Sequence, residues 1–441
     1  MGELATLTVG VNQQYQHIAD AIAASRDGDV ITVQAGTYVN DFATIYHKIT
    51  LQGVGGMVKM VATVPPKNGK AILTTATDVA IDHFEFSGAK VADKNGAGIR
   101  YDTGNLTITN SYFHDNENGL LSAADANGTI TIKNSEFSHN GNGNGLTHNI
   151  YVGVIKQLTI QDSYIHDAVT GHEVKSRALN TTITGSRIQN NSGNASYEID
   201  LPQGGNGLIQ GNLIQQGAST SNPVIIAFGE EGNLNVNSTL VVRGNTIVND
   251  KTNGVAVWNA TSNTATMDGN QVFGLGSTAK TIGAVGQTGT TVLASRPVLS
   301  LASPIDANQR SVVFNLSEES WQGDAQCYVS IDGARLGEMQ TVTALHALGQ
   351  SQKISFAIPL SSGAHTASVA FVNDAWGGTT TTDRNLFVDS IDIGTQHVVT
   401  AAALYSNGTR SFVIPAVPAT TARALTISNT PAHAVTLLAH H

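Results

Sequence analysis

The sequence predicts an all-β protein in two parts: a parallel β-helix with an N-terminal capping helix, then a small antiparallel β-sandwich. Three observations carry this. Short units ending in an apolar residue recur at near-constant spacing, an alternating strand precedes each unit, and past about residue 290 a different rhythm takes over. At 441 residues the chain is too long for one compact globule by the usual size prior, unless repetition stretches the core along an axis.

Residues 15–38 read YQHIADAIAASRDGDVITVQAGTY. Tyr15, Ile18 and Ile22, with small alanines between them, form an apolar stripe at helical spacing. The turn Asp27-Gly28-Asp29 then launches a strand over 30–33 that ends at Gly36. A β-solenoid needs such a cap, because its first coil otherwise exposes an apolar end and unpaired strand edges. The helix-turn-strand, and above all the string GDVITVQAGTY, resembles the N-terminal cap of right-handed parallel β-helix proteins of the pectate-lyase type.

The repeats follow as NSYF at Phe113, NSEF at Phe137, DSYI at Ile165, GSRI at Ile188, GNLI at Ile214, GNTI at Ile247 and GNQV at Val272, with a weaker copy, VAIDHFEF, at 79–86. Successive spacings are 24, 28, 23, 26, 33 and 25 residues, close to one coil each. The uneven increments place insertions in particular loops, notably GNGNG (141–145) and GEEGN (229–233). Asn110, Asn134, Asn212, Asn245 and Asn270 read as turn and internal ladder residues; Glu230 and Glu231 could reach over the groove that such insertions flank, with a solvated loop as the leading reading. The β-helix spans 1–293, a linker 294–310, the sandwich 311–415 and a tail 416–441. In the sandwich, alternating strands are expected at 311–316, 327–331, 352–358, 365–372 and 384–393.

Composition narrows the function. Charged residues make up 13%, against roughly 25% in typical soluble domains, and the formal net charge is −10 with no basic runs, which argues against nucleic acid as partner. A lone Cys327 excludes an internal disulfide framework and a cysteine-based zinc site. No apolar stretch approaches a membrane span. The start, Met1-Gly2-Glu3, has no charged-then-apolar leader; a secreted or periplasmic monomer whose signal peptide is absent from this chain is expected.

Against this charge-poor background three consecutive coils stand out: HNIYVGV (148–154), HEVKSRA (172–178) and YEIDLP (197–202). Ile150, Val174 and Ile199 precede the apolar repeat residues by 15, 14 and 15 positions, so they stack. Strict alternation then turns Asn149, Glu173 and Glu198 outward in one column and Tyr151, Lys175 and Asp200 in the next, with Arg177 just beyond. The same parity turns His172 inward, although it stays with Asn149 and Trp376 among the candidate substrate contacts. A salt-bridged surface ladder is the plain alternative. As an active face, two chemistries compete. In β-elimination from a uronic-acid polysaccharide, Asn149, Glu173 and Glu198 would hold a Ca²⁺ that neutralises the sugar carboxylate. Lys175, its pKa depressed by nearby cations, would be the base, and Arg177 or Tyr151 would serve the leaving group. In glycoside hydrolysis, Glu173, Glu198 and Asp200 would supply the carboxyl pair. The arrangement, through the acidic-then-KS order of HEVKSRA, resembles the alginate- and chondroitin-cleaving β-helix lyases, which pair a calcium-holding Asn/Glu cluster with a Lys base and an Arg. HNIYV is similar to a segment common in carbohydrate-binding and sugar-hydrolase β-helix repeats.

The strings VSIDGARLGEMQTVTALHALGQSQKISF and VAFVNDAWGGTTTTDRNLFVDSIDI resemble xylan-binding, calcium-dependent carbohydrate-binding modules, with AALYSNGTRSFVIP (402–415) continuing the likeness. By that resemblance Asp374 and Asp383, with the Trp376 carbonyl, would hold a Ca²⁺ whose free positions take sugar hydroxyls. An exposed Trp376 would also stack on a pyranose. The chain is thus expected to be a polysaccharide lyase with a carbohydrate-binding module. Glycosidase, uronate epimerase and non-catalytic glycan-binding matrix protein are the alternatives.

Overall fold

Each repeat unit finds the same unit one coil on. The structure, a computed structural model, describes residues 5–415 apart from 233, 236, 277–278, 306–308, 361–362 and 394–395; the expected tail at 416–441 lies outside the described residues. Parallel pairing runs Met60, Phe86, Phe113, Phe137, Ile165, Ile188, Ile214, Ile247, Val272 and Val292, each opposite the next. From Phe86 to Val272 these residues are fully buried. The phenylalanines stack face to face, with centroids 4.9 Å apart for Phe86–Phe113 and 4.4 Å for Phe113–Phe137. The result is a right-handed parallel β-helix, the hand that parallel crossovers take almost without exception.

The composition of the units now has a cause. The first residue of each unit, Asn110, Asn134, Asp162, Gly185, Gly211, Gly244 or Gly269, adopts a left-handed conformation with φ between 45 and 65°. Such a turn favours Asn, Asp or Gly, and those are the residues found. The second residue turns inward and binds the next coil. Ser111 N–H donates to Ser135 Oγ at 3.2 Å, Ser135 to Ser163 at 3.2 Å, and Ser163 to Ser186 at 3.1 Å. Ser186 N–H then donates to Asn212 Oδ1 at 2.9 Å, Asn212 to Asn245 at 2.9 Å, and Asn245 to Asn270 at 3.0 Å. The asparagines expected as one class therefore divide: Asn110 and Asn134 make turns, whereas Asn212, Asn245 and Asn270 form the buried ladder.

At the N-terminus the helix Ile18–Ala24 buries Ile18, Ala21 and Ile22 over the first coils. Its first N–H groups are capped by a distant carboxylate: Asp41 accepts from Ile18 at 2.6 Å and Ala19 at 2.9 Å. One sheet of ten short strands, from Ala43–Ile45 to Thr281–Ile282, forms one face of the solenoid. No helix among the described residues is long and apolar enough to cross a membrane.

The C-terminal region packs a five-stranded on a four-stranded antiparallel sheet. The five expected strands occur as Gln309–Glu319, Ala325–Ile331, Gln352–Pro359, His365–Phe371 and Asp383–Ile393. Ala334–Val342, Gln396–Leu404 and Gly408–Ile414 add to them. Cys327 is a buried core residue. The segment expected as a linker is strapped to the solenoid: Arg296 holds Asp250 through two 2.7 Å bonds, and Arg187 donates to the Ser300 carbonyl at 2.9 Å.

The ladder predicts a graded loss. Asn245→Ala strands the Asn212 N–H and amide, and the Ile209 carbonyl that Asn245 satisfies at 2.9 Å. It should cost about 3 kcal/mol, read as a lower urea midpoint, since each stranded buried group costs about 1–3 kcal/mol. Asn245→Ser, the residue that the earlier coils use, should cost less than half of that.

Candidate active site

The strands that carry the candidate residues are only three residues long: Ile150–Val152, Val174–Ser176 and Ile199–Leu201. Residues 149, 173 and 198 sit one position earlier, in the corner bend, where strand alternation does not reach. This overturns the expected outward column: Asn149, Glu173 and Glu198 have no exposed surface. The same corner holds Gly98 and Gly119 in the preceding coils. A Cβ on Gly119 would lie 2.8 Å from Phe137 Cδ1 and 3.0 Å from Asn140 Nδ2, so the column points into the interior.

There Asn149 and Glu173 hold the backbone together, while both Glu198 oxygens are buried without a partner among the described residues. Asn149 Oδ1 accepts from the Asn140 N–H at 3.2 Å and its amide at 2.8 Å, while Asn149 Nδ2 donates to Glu173 Oε2 at 2.5 Å and to the His166 carbonyl at 2.8 Å. Glu173 Oε1 accepts from the Ala168 N–H at 3.0 Å. Burial pushes the Glu173 carboxyl up to about 8. Burial, with the charge of Glu173 one coil away, holds Glu198 well above the ordinary carboxylate range. Asn149 and Glu173 do not fit a calcium ion, since the Asn149 amide donates to a carboxylate oxygen and both Glu173 oxygens already take N–H groups. Glu198, whose two oxygens are buried without a partner, is left as a single carboxyl, too few ligands for an ion that takes roughly six to eight oxygens. The assignment of Glu173 and Glu198 as catalytic groups and of all three as metal ligands is therefore withdrawn on their placement.

His172 is corrected in the opposite sense. It faces outward in a stack with His148 and Tyr197, at centroid distances of 4.7 and 4.9 Å. The N–H of His172 donates to His148 Nδ1 at 2.9 Å, and that of Tyr197 to His172 Nδ1 at 3.1 Å. Each Nδ1 is thereby an acceptor, so the neutral ring carries its proton on Nε2. Burial is the main force that pulls His172 down to about 4, and it holds His148 well below its ordinary value.

The second outward column does gather at the surface. Tyr151, Lys175 and Asp200 are register partners on adjacent strands. Asp200 lies buried at the floor, with Lys175 Nζ 2.9 Å and His172 Nε2 3.4 Å from Oδ2. Arg177 donates to the Tyr151 hydroxyl at 2.5 Å, and its guanidinium lies 5.2 Å from the centre of that ring. The loop expected to be solvated closes over this group. Glu231 Oε1 lies 2.8 Å from Lys175 Nζ, and Glu231 Oε2 pairs with Arg177. One carboxylate is thus held between two cations. Burial acts to lower Lys175, but Asp200 and Glu231 outweigh it and hold the ammonium above its ordinary value. The expected depression of Lys175 is thereby reversed: near neutrality it is a cation, not a base. Glu230 faces Asp200; burial first, then hydrogen bonding and charge from Asp200, raise it to about 8, so it is protonated near neutrality.

In the C-terminal region Trp376 and Asp383 are register partners, and Trp376 is 60% exposed. Asp374 Oδ1 is buried with no partner, while Asp383 Oδ2 accepts from Asn385 at 3.0 Å. An orphaned buried carboxylate oxygen beside a two-stranded turn fits a hard cation with oxygen ligands. Among the described residues no three His, Cys, Asp or Glu side chains converge on one point, so carbonyl oxygens would have to complete such a site.

The buried carboxyls carry a pH signature. The folded Glu173 carboxyl titrates near 8, above its ordinary value of 4.5, so its contribution is complete below about 4.5 and is lost progressively as pH rises from there through about 8. Thermal melting of the native protein should fall over that range. Glu173→Gln, which cannot ionise, should melt lower in acid but with a visibly flatter decline; equal slopes would contradict a neutral Glu173.

Residues 118–295 match a family model described as a right-handed β-helix region, and 312–406 match one described as a Ca-dependent, xylan-binding carbohydrate-binding module. No curated protein matches the chain. Similar solved structures include a pectate lyase (TM-score 0.45, 15% identity, covering 67% of this chain and 84% of that one). An alginate lyase from Paenibacillus sp. (0.44, 17%, 64% and 98%) and a mannuronan C-5 epimerase A-module from Azotobacter vinelandii (0.31, 16%, 63% and 94%) are also among them. At these values they bear on no residue of the site. The chain joins a right-handed parallel β-helix to a segment that matches a calcium-dependent, xylan-binding carbohydrate-binding module.

Proposed function

We propose that the β-helix is a secreted, polysaccharide-active enzyme that cleaves a uronic-acid-containing glycan by β-elimination, with the C-terminal module holding it to polysaccharide. The observation that carries this reading is Glu231, one carboxylate shared by Lys175 and Arg177. Two cations that converge on a carboxylate make a place for the carboxylate of a uronate, which enters by displacing Glu231. Neutralising that group eases removal of the neighbouring C5 proton. The Tyr151 hydroxyl, gripped by Arg177, is the group placed to exchange that proton with the sugar. The proton passes from C5 to the Tyr151 oxygen, acting as the phenolate that Arg177 stabilises, the C–H electron pair forms the C4–C5 double bond, and the C4–O bond breaks with a proton delivered to the departing oxygen. Glu230, protonated up to about 8, is the acid on hand for that delivery.

Hydrolysis fits less well. Glu173 and Glu198, two of the three carboxyls it would use, are sealed inside the solenoid, out of reach of a glycan. In the module, Asp374 and Asp383 would hold a Ca²⁺, which when bound offers positions to sugar hydroxyls; Trp376 offers a ring face.

Incubation with polygalacturonate or alginate should give unsaturated, ultraviolet-absorbing products, and Tyr151→Phe should lower kcat at least about 100-fold, the usual share of a proton-transfer group. Reducing ends without that absorbance would replace elimination by hydrolysis. Glu231→Gln should lower KM for the acidic polymer, because the resident competitor has lost its charge. Retention on xylan should fall with chelator and with Trp376→Ala; retention unmoved by either would remove the module from the reading.

A further inference from the structure

We infer that Trp258 and Tyr197 form a sugar-stacking subsite next to the ionisable cluster, taking the ring face of the same glycan beyond the uronate held by Lys175 and Arg177. The inference rests on the proposed function for the identity of its occupant and on packing for its location. The outward column that begins Tyr151, Lys175, Asp200 continues, coil by coil, as Ala227, Trp258 and Ile282. Two coils separate Asp200 from Trp258, about 10 Å along the axis. Tyr197 and Trp258 pack on a small apolar patch of Val224, Ala227 and Val255, which they bury while each ring remains partly exposed. Ile282, one coil further, is 45% exposed.

The character of the face changes abruptly at Ala227. Up to Asp200 it is cationic and acidic; beyond it, the column and its apolar patch hold no charged side chain. A carboxylate has no partner there, whereas a pyranose presents apolar C–H faces that suit an aromatic plane. An indole pinned against a β-sheet is already ordered, so stacking costs little further entropy. A glycan lying along the solenoid axis with one ring over Asp200 would set a later ring over Trp258. The stripe thus reads the length of the chain and the shape of its rings rather than their charge.

Trp321→Phe and Trp376→Phe together leave Trp258 as the sole tryptophan of the three. In chelator, so that calcium-dependent retention is silent, its emission should shift on adding long oligomers of polygalacturonate or alginate and not on adding the shortest ones. In the otherwise native chain Trp258→Ala should raise KM for long oligomers about three- to tenfold, the size of one stacking contact, with kcat unchanged. Trp258→Phe should recover most of the loss, with melting as in the native protein. Emission that stays unmoved by every oligomer, or a Trp258→Ala KM that rises equally for long and short ones, overturns the subsite. A shift in emission without unsaturated products retires the elimination reading and leaves the subsite standing.

Discussion

In a parallel solenoid every polar group that turns inward has to be answered by the coil above or below, since no water reaches it. The Ser111–Asn270 ladder is that rule carried out over seven coils, each side chain taking the backbone N–H of the coil before it. The ladder fixes the position of each corner, and the corners fix where the short strands of the ten-stranded sheet begin. A shift of one residue would send Lys175 into the core. The chemistry on the outer face is therefore held by hydrogen bonds on the inner one.

The second corner shows the same rule with higher stakes. Asn149 and Glu173 fill positions that are glycine in the two coils before Asn149, and they satisfy Asn140 and Ala168 in exchange for burying a carboxyl. Burying an unpaired carboxylate is expensive, so the raised pKa values of Glu173 and Glu198 are the form that the compromise takes: at least one proton stays on the pair. These residues lie directly beneath the outward stack of His148, His172 and Tyr197, whose imidazoles are kept neutral by burial and by main-chain donors. Neutral rings beside Lys175 and Arg177 add no further positive charge to a site that already carries two cations.

Much of the fold was legible in the sequence because its signals were local and repeated: the apolar residue ending each unit, and the turn residue opening it. The spacing from 113 to 272 corresponds, residue for residue, to the observed register. The site was legible only where strand alternation holds. Tyr151, Lys175 and Asp200 lie within strands and emerged together; residues 149, 173 and 198 lie one position outside, and parity misdirected them and His172. A signal was present, since the same corner reads Gly98, Gly119, Asn149, Glu173, Glu198, Ile225, Ala256, and a column that starts with glycine and ends with Ile and Ala belongs inside. That Glu231 could reach over the groove was legible but not that it does so, because nothing local tells which way an insertion folds. Nor did the sequence single out Trp258, whose own strand, Val255–Asn259, carries no charged residue.

The scarcity of charge gives the site its logic. Lys175 meets Asp200 and Glu231, and Arg177 meets Glu231, while Glu230 is held protonated and the histidines neutral. The cluster is balanced at rest, and with so few charges elsewhere on the solenoid there is little to screen or compete with it. An arriving uronate that displaces Glu231 leaves the balance over Lys175 and Arg177 unchanged; what changes is that a carboxylate on the protein has been exchanged for one attached to a carbon acid. The exchange requires no new charge to be buried, so the cost of desolvating the cations has already been met in folding. A neutral sugar offers no such exchange at this point and finds a partner only further along the column, where charge gives way to the aromatic rings.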